Sequence, residues 1–307
     1  MSILDKYKGC LLGLAIGDSL GTTLEFSMPG TFLPINDMIG GGVFGLRPGE
    51  WTDDTSMALC LADSLLSCQG FDPVDQLKRY SRWMNEGYLS STGICFDIGN
   101  ATRSAIEKFG RTGESFCGSI HSNTAGNGSI MRLAPIPMYY LSNSQAVVHY
   151  AAESSKTTHA AEETVSACKL LAAYTLTALQ GGTKQQIIDC VDFDYWNGPD
   201  NGSLATSIED IRMKSFLYKE PPVIKGSGYV VESLEAALWA FAKSNSFEEG
   251  ALLAVNLGDD SDTTGAVYGQ IAGAYYGYSS LPAHWIAKIA KLQMIEGFAI
   301  SLFKSKV

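Results

Sequence analysis

Glycine recurs at every fourth position in two places: Gly9, Gly13, Gly17 and Gly21, and again Gly265, Gly269, Gly273 and Gly277. Each interior helical glycine costs about 1 kcal/mol relative to alanine, so a run of four needs a reason in packing. Both runs sit in helical apolar patterns, with Leu4, Tyr7, Leu11, Leu12, Leu14 and Ile16 around the first and Tyr268, Ile271 and Tyr275 along the second. Small residues one turn apart let another backbone approach closely. The chain is thereby constrained to hold two buried helices with bare faces. Those faces either meet each other or meet separate partners, and the sequence permits both. If they meet, Asp18 and Glu25 at the end of the first helix approach Asp260 and Asp262 at the start of the second.

The second run follows Asn256-Leu257-Gly258-Asp259-Asp260-Ser261-Asp262-Thr263-Thr264, which holds three carboxylates in four residues. One reading is a well-capped helix, since carboxylates suit a helix N-terminus and Asp262 or Ser261 could cap it. The other is a cation site, because acids this close repel one another and oxygen-only donor sets favour Mg²⁺, Mn²⁺ or Ca²⁺. A second acid pair stands at another helix start, Trp51-Thr52-Asp53-Asp54-Thr55. Two such starts in one chain are harder to explain as caps than one. Together, Thr52, Asp53, Asp54, Asp260, Asp262 and Thr263 offer enough oxygen ligands for two octahedral ions, if they converge. Glu25 would complete that shell or act as a base, and Asp259 is left as a neighbour.

Helical periodicity predicts elements at 4–21, 57–66, 73–86, 97–109, 129–140, 143–154, 160–180, 203–216, 231–243, 246–255, 262–277 and 282–303. Pro135 and Pro137 are expected to bend the fifth of these. Residues 27–50 are rich in Gly and Pro and read as a long loop of the kind that carries function; 192–202 reads as a turn-rich loop. Val230-Val231 is the nearest approach to a strand, and no βαβ rhythm is visible. The fold class is all-α, in one domain spanning 1–307. Seven cysteines without a CxxC pair read as reduced core residues. With 22 basic against 32 acidic residues, the net charge of −10 disfavours general nucleic-acid binding. Asp5, Lys6 and Lys8 interrupt any leader at the start, and no apolar run reaches the ~18 residues of a membrane span. The expectation is a cytoplasmic monomer that uses neither membrane nor nucleic acid.

Five stretches in fixed order carry a resemblance: Gly13-to-Gly21 (Gly17-Asp18-Ser19-Leu20-Gly21) with Glu25, Trp51-Thr52-Asp53-Asp54-Thr55, Gly126-Asn127-Gly128-Ser129-Ile130-Met131-Arg132, Thr158-His159, and Gly258-Asp259-Asp260-Ser261-Asp262-Thr263. The chain resembles the ADP-ribosylglycohydrolases over residues 5–280. It looks closest to the bacterial type that removes ADP-ribose from an arginine of dinitrogenase reductase. That resemblance implies a compact orthogonal multi-helix bundle with two Mg²⁺ or Mn²⁺ ions. By motif match it makes Thr52, Asp53, Asp54, Asp260, Asp262 and Thr263 the metal ligands. Glu25, beside the metals, becomes the candidate general base or the group that positions the attacking water. Asp97, in Gly93-Ile94-Cys95-Phe96-Asp97-Ile98-Gly99, is either a group that holds or protonates the guanidinium or simply a helix N-cap. Asn127, Gly128 and Ser129 precede a predicted helix, whose N-terminus would meet the diphosphate of ADP-ribose. His159 would contact the nucleotide, and Tyr229 would stack on adenine. For these last three sites the plainer alternatives are a capped turn, a satisfied polar residue and core packing. His121, His149 and His284 have no ligand spacing.

The reaction so implied is hydrolysis of the N-glycosidic bond between ADP-ribose and a protein arginine. Positive charge at the anomeric carbon would be stabilised by nearby carboxylates. One alternative is cleavage of a serine O-linked or other ADP-ribosyl compound. Another is a non-catalytic ADP-ribose-binding protein, whose signature would be loss of Asp53, Asp260 or Asp262. A two-metal phosphohydrolase is the third, and it would release AMP rather than ADP-ribose.

Overall fold

A computed structural model describes residues 1–189 and 203–305. The loop expected at 192–202 and Cys190 lie outside the described residues. Described elements are α1 (Ile3–Gly21), α2 (Asp53–Cys68), α3 (Pro73–Glu86), α4 (Asn100–Thr112), α5 (Pro135–Tyr139), α6 (Ser144–Lys156) and α7 (Glu162–Leu179). They continue with α8 (Lys184–Asp189), α9 (Thr206–Arg212), α10 (Val230–Lys243), α11 (Phe247–Val255), α12 (Ser261–Tyr276), α13 (Ala283–Ile286) and α14 (Leu292–Ser305). Among the described residues β pairing is confined to isolated bridges, so the all-α expectation stands. No described helix is long and apolar enough to cross a membrane.

The two glycine faces meet. They run antiparallel, so that a Cβ on Gly9 would lie 2.2 Å from the Gly273 carbonyl oxygen, one on Gly13 2.4 Å from that of Gly269, and one on Gly17 2.0 Å from that of Gly265. The reverse contacts are equally short, 2.0 Å from Gly269 to the Gly13 oxygen and 2.0 Å from Gly273 to that of Gly9. The fourth rung sets Gly21 against the Asp262 backbone, 2.3 Å from its Cα, and Ser261 Oγ donates to the Gly21 carbonyl at 2.8 Å. This seam is the centre of the molecule. From Lys6 to Gly21 α1 is buried except for Lys8, and α12 is buried from Ser261 to Ala274. Helices apolar on every side belong in a core, and α7 packs beside them in the same way, with Leu170, Leu171, Tyr174 and Leu176 fully buried. By contrast α3 and α4 bury one stripe each, α3 through Leu77, Tyr80 and Trp83.

Several predicted helices are shorter in the structure, and tertiary contacts account for it. The 129–140 segment is helical only over Pro135–Tyr139; before it the chain turns tightly, with Ile130 N–H donating to the Asn127 carbonyl at 3.0 Å. Two prolines without N–H groups cannot sustain the earlier turns. The 282–303 pattern splits where Lys291 takes a left-handed φ of 50°. There the Ala290 carbonyl accepts the Trp51 indole N–H at 3.2 Å, and Ala290 N–H donates to Gly49 at 2.9 Å. The 203–216 pattern resolves into α9 and a 3-10 turn at Ser215–Tyr218, and Val230-Val231 begins α10 rather than a strand. The six described cysteines are free, and Cys10, Cys60, Cys117 and Cys168 are buried. The long loop before α2 is tied down at several points, including Thr23 Oγ1 to the Gly40 carbonyl (2.9 Å) and a reciprocal pair between Ile35 and the Asn256 amide (2.8 and 2.9 Å).

Candidate active site

The starts of α2 and α12 converge because the seam delivers them. Asp18, one residue past the Gly17 rung, accepts from Thr52 N–H (2.8 Å), Thr52 Oγ1 (3.0 Å), Thr55 N–H (3.0 Å) and Thr55 Oγ1 (2.6 Å). It thus fastens the first turn of α2 to the end of α1. Thr52 Oγ1 also lies 3.1 Å from Asp54 Oδ2 and 3.1 Å from Asp262 Oδ2, so the starts of α2 and α12 share one hydroxyl. Neither helix is capped by its N-cap side chain: Thr52 and Asp260 make no such bond, and the Ser261 hydroxyl goes to Gly21. The capped-helix reading of the acid motifs therefore fails.

Two groups of carboxylate oxygens each lie within 4.8 Å of one another: Asp18, Asp54 and Asp262, and Glu25, Asp97 and Asp262. Asp97 is not the cap of α4, whose N-cap is Gly99; it sits in the left-handed region at φ 57°, turned toward the cluster. Glu25 Oε2, Asp54 Oδ1 and Asp262 Oδ1 are buried without a hydrogen-bond partner. Orphaned buried carboxylate oxygens are costly. An ion with hard, oxygen-preferring coordination is what such a donor set fits. Burial pushes Asp53, Asp54 and Asp262 well above the ordinary carboxylate range, and nearby negative charge adds to it, chiefly Asp97 for Asp53, Asp18 for Asp54 and Glu25 for Asp262. Burial and then Asp97 and Asp260 lift Glu25 to about 10. Asp97 is raised to about 7 by burial and Asp260. Asp18 rises only to about 6, because the threonine hydrogen bonds oppose its burial.

A cleft of about 250 Å³ opens onto this cluster, walled by Glu25, Asp53, Asp97, Asp260 and Thr263 on one side and Gly126, Asn127, Gly128 and His159 on the other. No lysine or arginine is among its described lining residues. Asn127 Nδ2 donates to Asp260 Oδ2 at 2.8 Å and links the two walls. Gly128 lacks a Cβ where one would come 2.8 Å from His159 Cε1. His159 is buried and held neutral, its pKa lowered to about 3 by burial and by Arg132. Ser129 does not face the cleft. Its hydroxyl accepts from Ser155 Oγ (3.0 Å) and Cys168 Sγ (3.4 Å), so the structure separates it from Asn127 and Gly128. Tyr229 is not core either, being 38% exposed. It lines an adjoining cavity of about 790 Å³ with Lys108 and Arg111, and the two cavities share Asn100, Ala101, Gly126 and Gly228. A bridge between Gly126 and Tyr229, with Asn127 N–H to the Gly228 carbonyl (3.0 Å) and Val230 N–H to that of Ala125 (3.0 Å), forms the partition. Asp259 is exposed and outside the cleft.

Sequence reasoning left two supports without a role. Asp18 was placed near the acids, since it follows a glycine rung, but its hold on the threonines of α2 was not seen. Arg132 is fully buried and donates to the Gly128 carbonyl (3.1 Å) and Thr158 Oγ1 (2.7 Å). It ties the 126–129 turn to the His159 segment, and only the structure shows this.

Buried helices, converging acid motifs and two adjoining cavities make up the site. The chain belongs to the ADP-ribosylglycohydrolase family, whose profile matches residues 1–306. It is 46% identical to the ADP-ribosylarginine hydrolase Tri1 of Pseudomonas putida (strain GB-1), over 98% of this chain and 78% of that protein. With the ADP-ribosyl-[dinitrogen reductase] glycohydrolase of Rhodospirillum rubrum the identity is 29%, over 94% of this chain and 91% of that one. A solved structure titled ADP-ribosylglycohydrolase-related protein complex superposes with a TM-score of 0.87 at 41% identity, covering 99% of both chains.

Proposed function

We propose that this chain hydrolyses the N-glycosidic bond between ADP-ribose and an arginine side chain of a modified protein. The observation that carries this reading is the set of three orphaned buried oxygens, on Glu25, Asp54 and Asp262, beside a cleft that adjoins a second cavity. The similarity to a curated ADP-ribosylarginine hydrolase supports the linkage. Thr52, Asp53, Asp54, Asp260, Asp262 and Thr263 would hold two Mg²⁺ or Mn²⁺ ions. When bound, such ions supply positive charge that offsets the carboxylates and anchors ribose hydroxyls.

The remaining work falls to the chain itself. Asn127 and Gly128 present their turn to the ADP-ribose, and His159 supports it from below as a neutral ring. Ser129 acts by fixing that turn to α6. Tyr229, with Lys108 and Arg111, receives the adenosine diphosphate half in the larger cavity. Carboxylates around the smaller cleft stabilise positive charge as the bond from the anomeric carbon to the guanidine nitrogen breaks. Glu25, ionised once its acidic neighbours are offset by positive charge, takes a proton from the attacking water while a carbon–oxygen bond forms, and passes that proton to the guanidine nitrogen, which leaves with the electron pair of the broken carbon–nitrogen bond. Asp97 is placed beside Glu25 to hold the departing group as a cation.

The test uses proteins ADP-ribosylated on arginine or on serine, with EDTA or with added Mg²⁺ or Mn²⁺. Metal-dependent release of free ADP-ribose from the arginine substrate is expected. Asp262→Asn should abolish it with an unchanged circular dichroism spectrum. Release from serine alone, or full activity in Asp262→Asn, refutes the assignment.

A further inference from the structure

Phe26 follows Glu25 directly and takes a left-handed backbone, φ 58°. A bulky residue there is an outlier that the surrounding structure must impose. The imposition is visible: Phe26 N–H donates to the Asp259 carbonyl at 2.6 Å, and Asp259 N–H donates to the Ser27 carbonyl at 2.8 Å. Asp259 is itself left-handed at φ 58°. Core packing does not repay this conformation, because Phe26 is 63% exposed. Its position is nevertheless specific, since it lines the smaller cleft with Glu25, Asp53, Asp97 and Asp260 and takes no part in the larger cavity.

The cleft therefore offers an aromatic ring among carboxylates, with no lysine or arginine among its described lining residues. A neutral adenine ring could donate its amino group to these acids but brings no positive charge to meet theirs. A flat cation gains from both, by charge from the carboxylates and by its attraction to an aromatic face. We infer that Phe26 is a specificity-determining residue whose ring receives the guanidinium of the arginine being released. The inference rests on the proposed reaction for its ligand. It explains why a strained aromatic is held at the mouth of an acidic cleft, and it assigns arginine preference to a residue outside the carboxylate cluster.

The test has two readouts on wild type, Phe26→Asn and Phe26→Tyr: kcat/KM on an ADP-ribosylated arginine peptide, and calorimetric binding of agmatine in the presence of ADP-ribose and Mg²⁺. Asparagine tolerates the left-handed backbone but has no ring; tyrosine keeps the ring. Phe26→Asn should lose about 5- to 30-fold in both readouts, from the upper end of an exposed cation–π pair to a desolvated one. Phe26→Tyr should stay within about twofold of wild type. Wild-type behaviour of Phe26→Asn, equal loss in Phe26→Tyr, or no binding of agmatine by wild type each overturns the inference. Ring-dependent agmatine binding without any arginine-peptide turnover would uphold it and overturn the proposed reaction instead.

Discussion

Substituting alanine for Gly269 tests the seam at its middle rung. The new Cβ would lie 2.0 Å from the Gly13 oxygen and 2.4 Å from its carbonyl carbon, where ordinary contact begins near 3.4 Å. Both obstacles are backbone, so no side chain can swing aside. The two helices must separate by more than 1 Å along a seam that includes three other rungs. Intrinsic helix propensity favours alanine by about 1 kcal/mol. Overpacking costs about 1–3 kcal/mol where side chains yield, and more is expected where they do not. A net loss of about 2 kcal/mol or more follows, roughly 4–8 °C in Tm if each kcal/mol shifts a large domain by about 2–4 °C. The control is Gly297→Ala in α14, an exposed helical position with nothing within 4 Å of the added carbon. It should gain about 0.4–1 kcal/mol. Differential scanning calorimetry at one fixed scan rate measures both variants. If Gly269→Ala matches or exceeds wild type while Gly297→Ala behaves as expected, the close seam is not what holds α1 to α12.

Two further outcomes are expected. Protein stripped with EDTA should gain about 2.7 kcal/mol when Mg²⁺ or Mn²⁺ is added at a hundred times its Kd, visible as a rise of several degrees in Tm. Asp54→Asn, which alters one of the orphaned oxygen sets, should show little of that rise, and an undiminished rise would place the ions elsewhere. His159 has a folded pKa of about 3 against an ordinary value near 6.5. Its neutral form therefore contributes stability above pH 6.5 that is lost as the pH falls toward 3. Between pH 6 and 4, His159→Gln should lose stability less steeply than wild type, by up to one proton or about 1.4 kcal/mol per pH unit. Parallel slopes would show that the ring is charged in the folded protein.

The sequence exposes what recurs locally and hides what depends on partners. Glycine spacing alone indicated two bare helical faces, because the helical cost of glycine is a local quantity. It did not say that they face each other, since a glycine face carries no label for its partner. The acid pairs at 53–54 and 260–262 were legible for the same local reason, and their convergence followed once the seam was known. Asp18 escaped assignment because its work is to hold threonines across 34 and 37 positions. Ser129 looked like its neighbours in a motif, yet one peptide unit of turn points it at α6 instead. The helix expected at 282–303 was broken by bonds from Trp51 and Gly49, which periodicity cannot register. Phe26 gave no signal at all, because an aromatic after an acid is unremarkable until its φ is known.

A face that repeats every four residues also fits its partner after sliding by one repeat, about 6 Å at 1.5 Å per residue. The glycines therefore act as a track, and the stops must come from elsewhere. Ser261 closes one end through the Gly21 carbonyl. At the other, Lys6 Nζ reaches the Ala274 carbonyl at 3.4 Å and that of Ala178 at 2.7 Å, and Asp5 receives Ser279 N–H at 3.1 Å. Slippage by one notch would carry Asp262 about 6 Å from Gly21 and dismantle the carboxylate cluster while leaving the helices packed. The alignment of the acids is thus set by polar pins at the two ends of the track, about 22 Å apart on the same rise per residue, and Lys6 at the far end is as much a guardian of the site as Ser261 beside it.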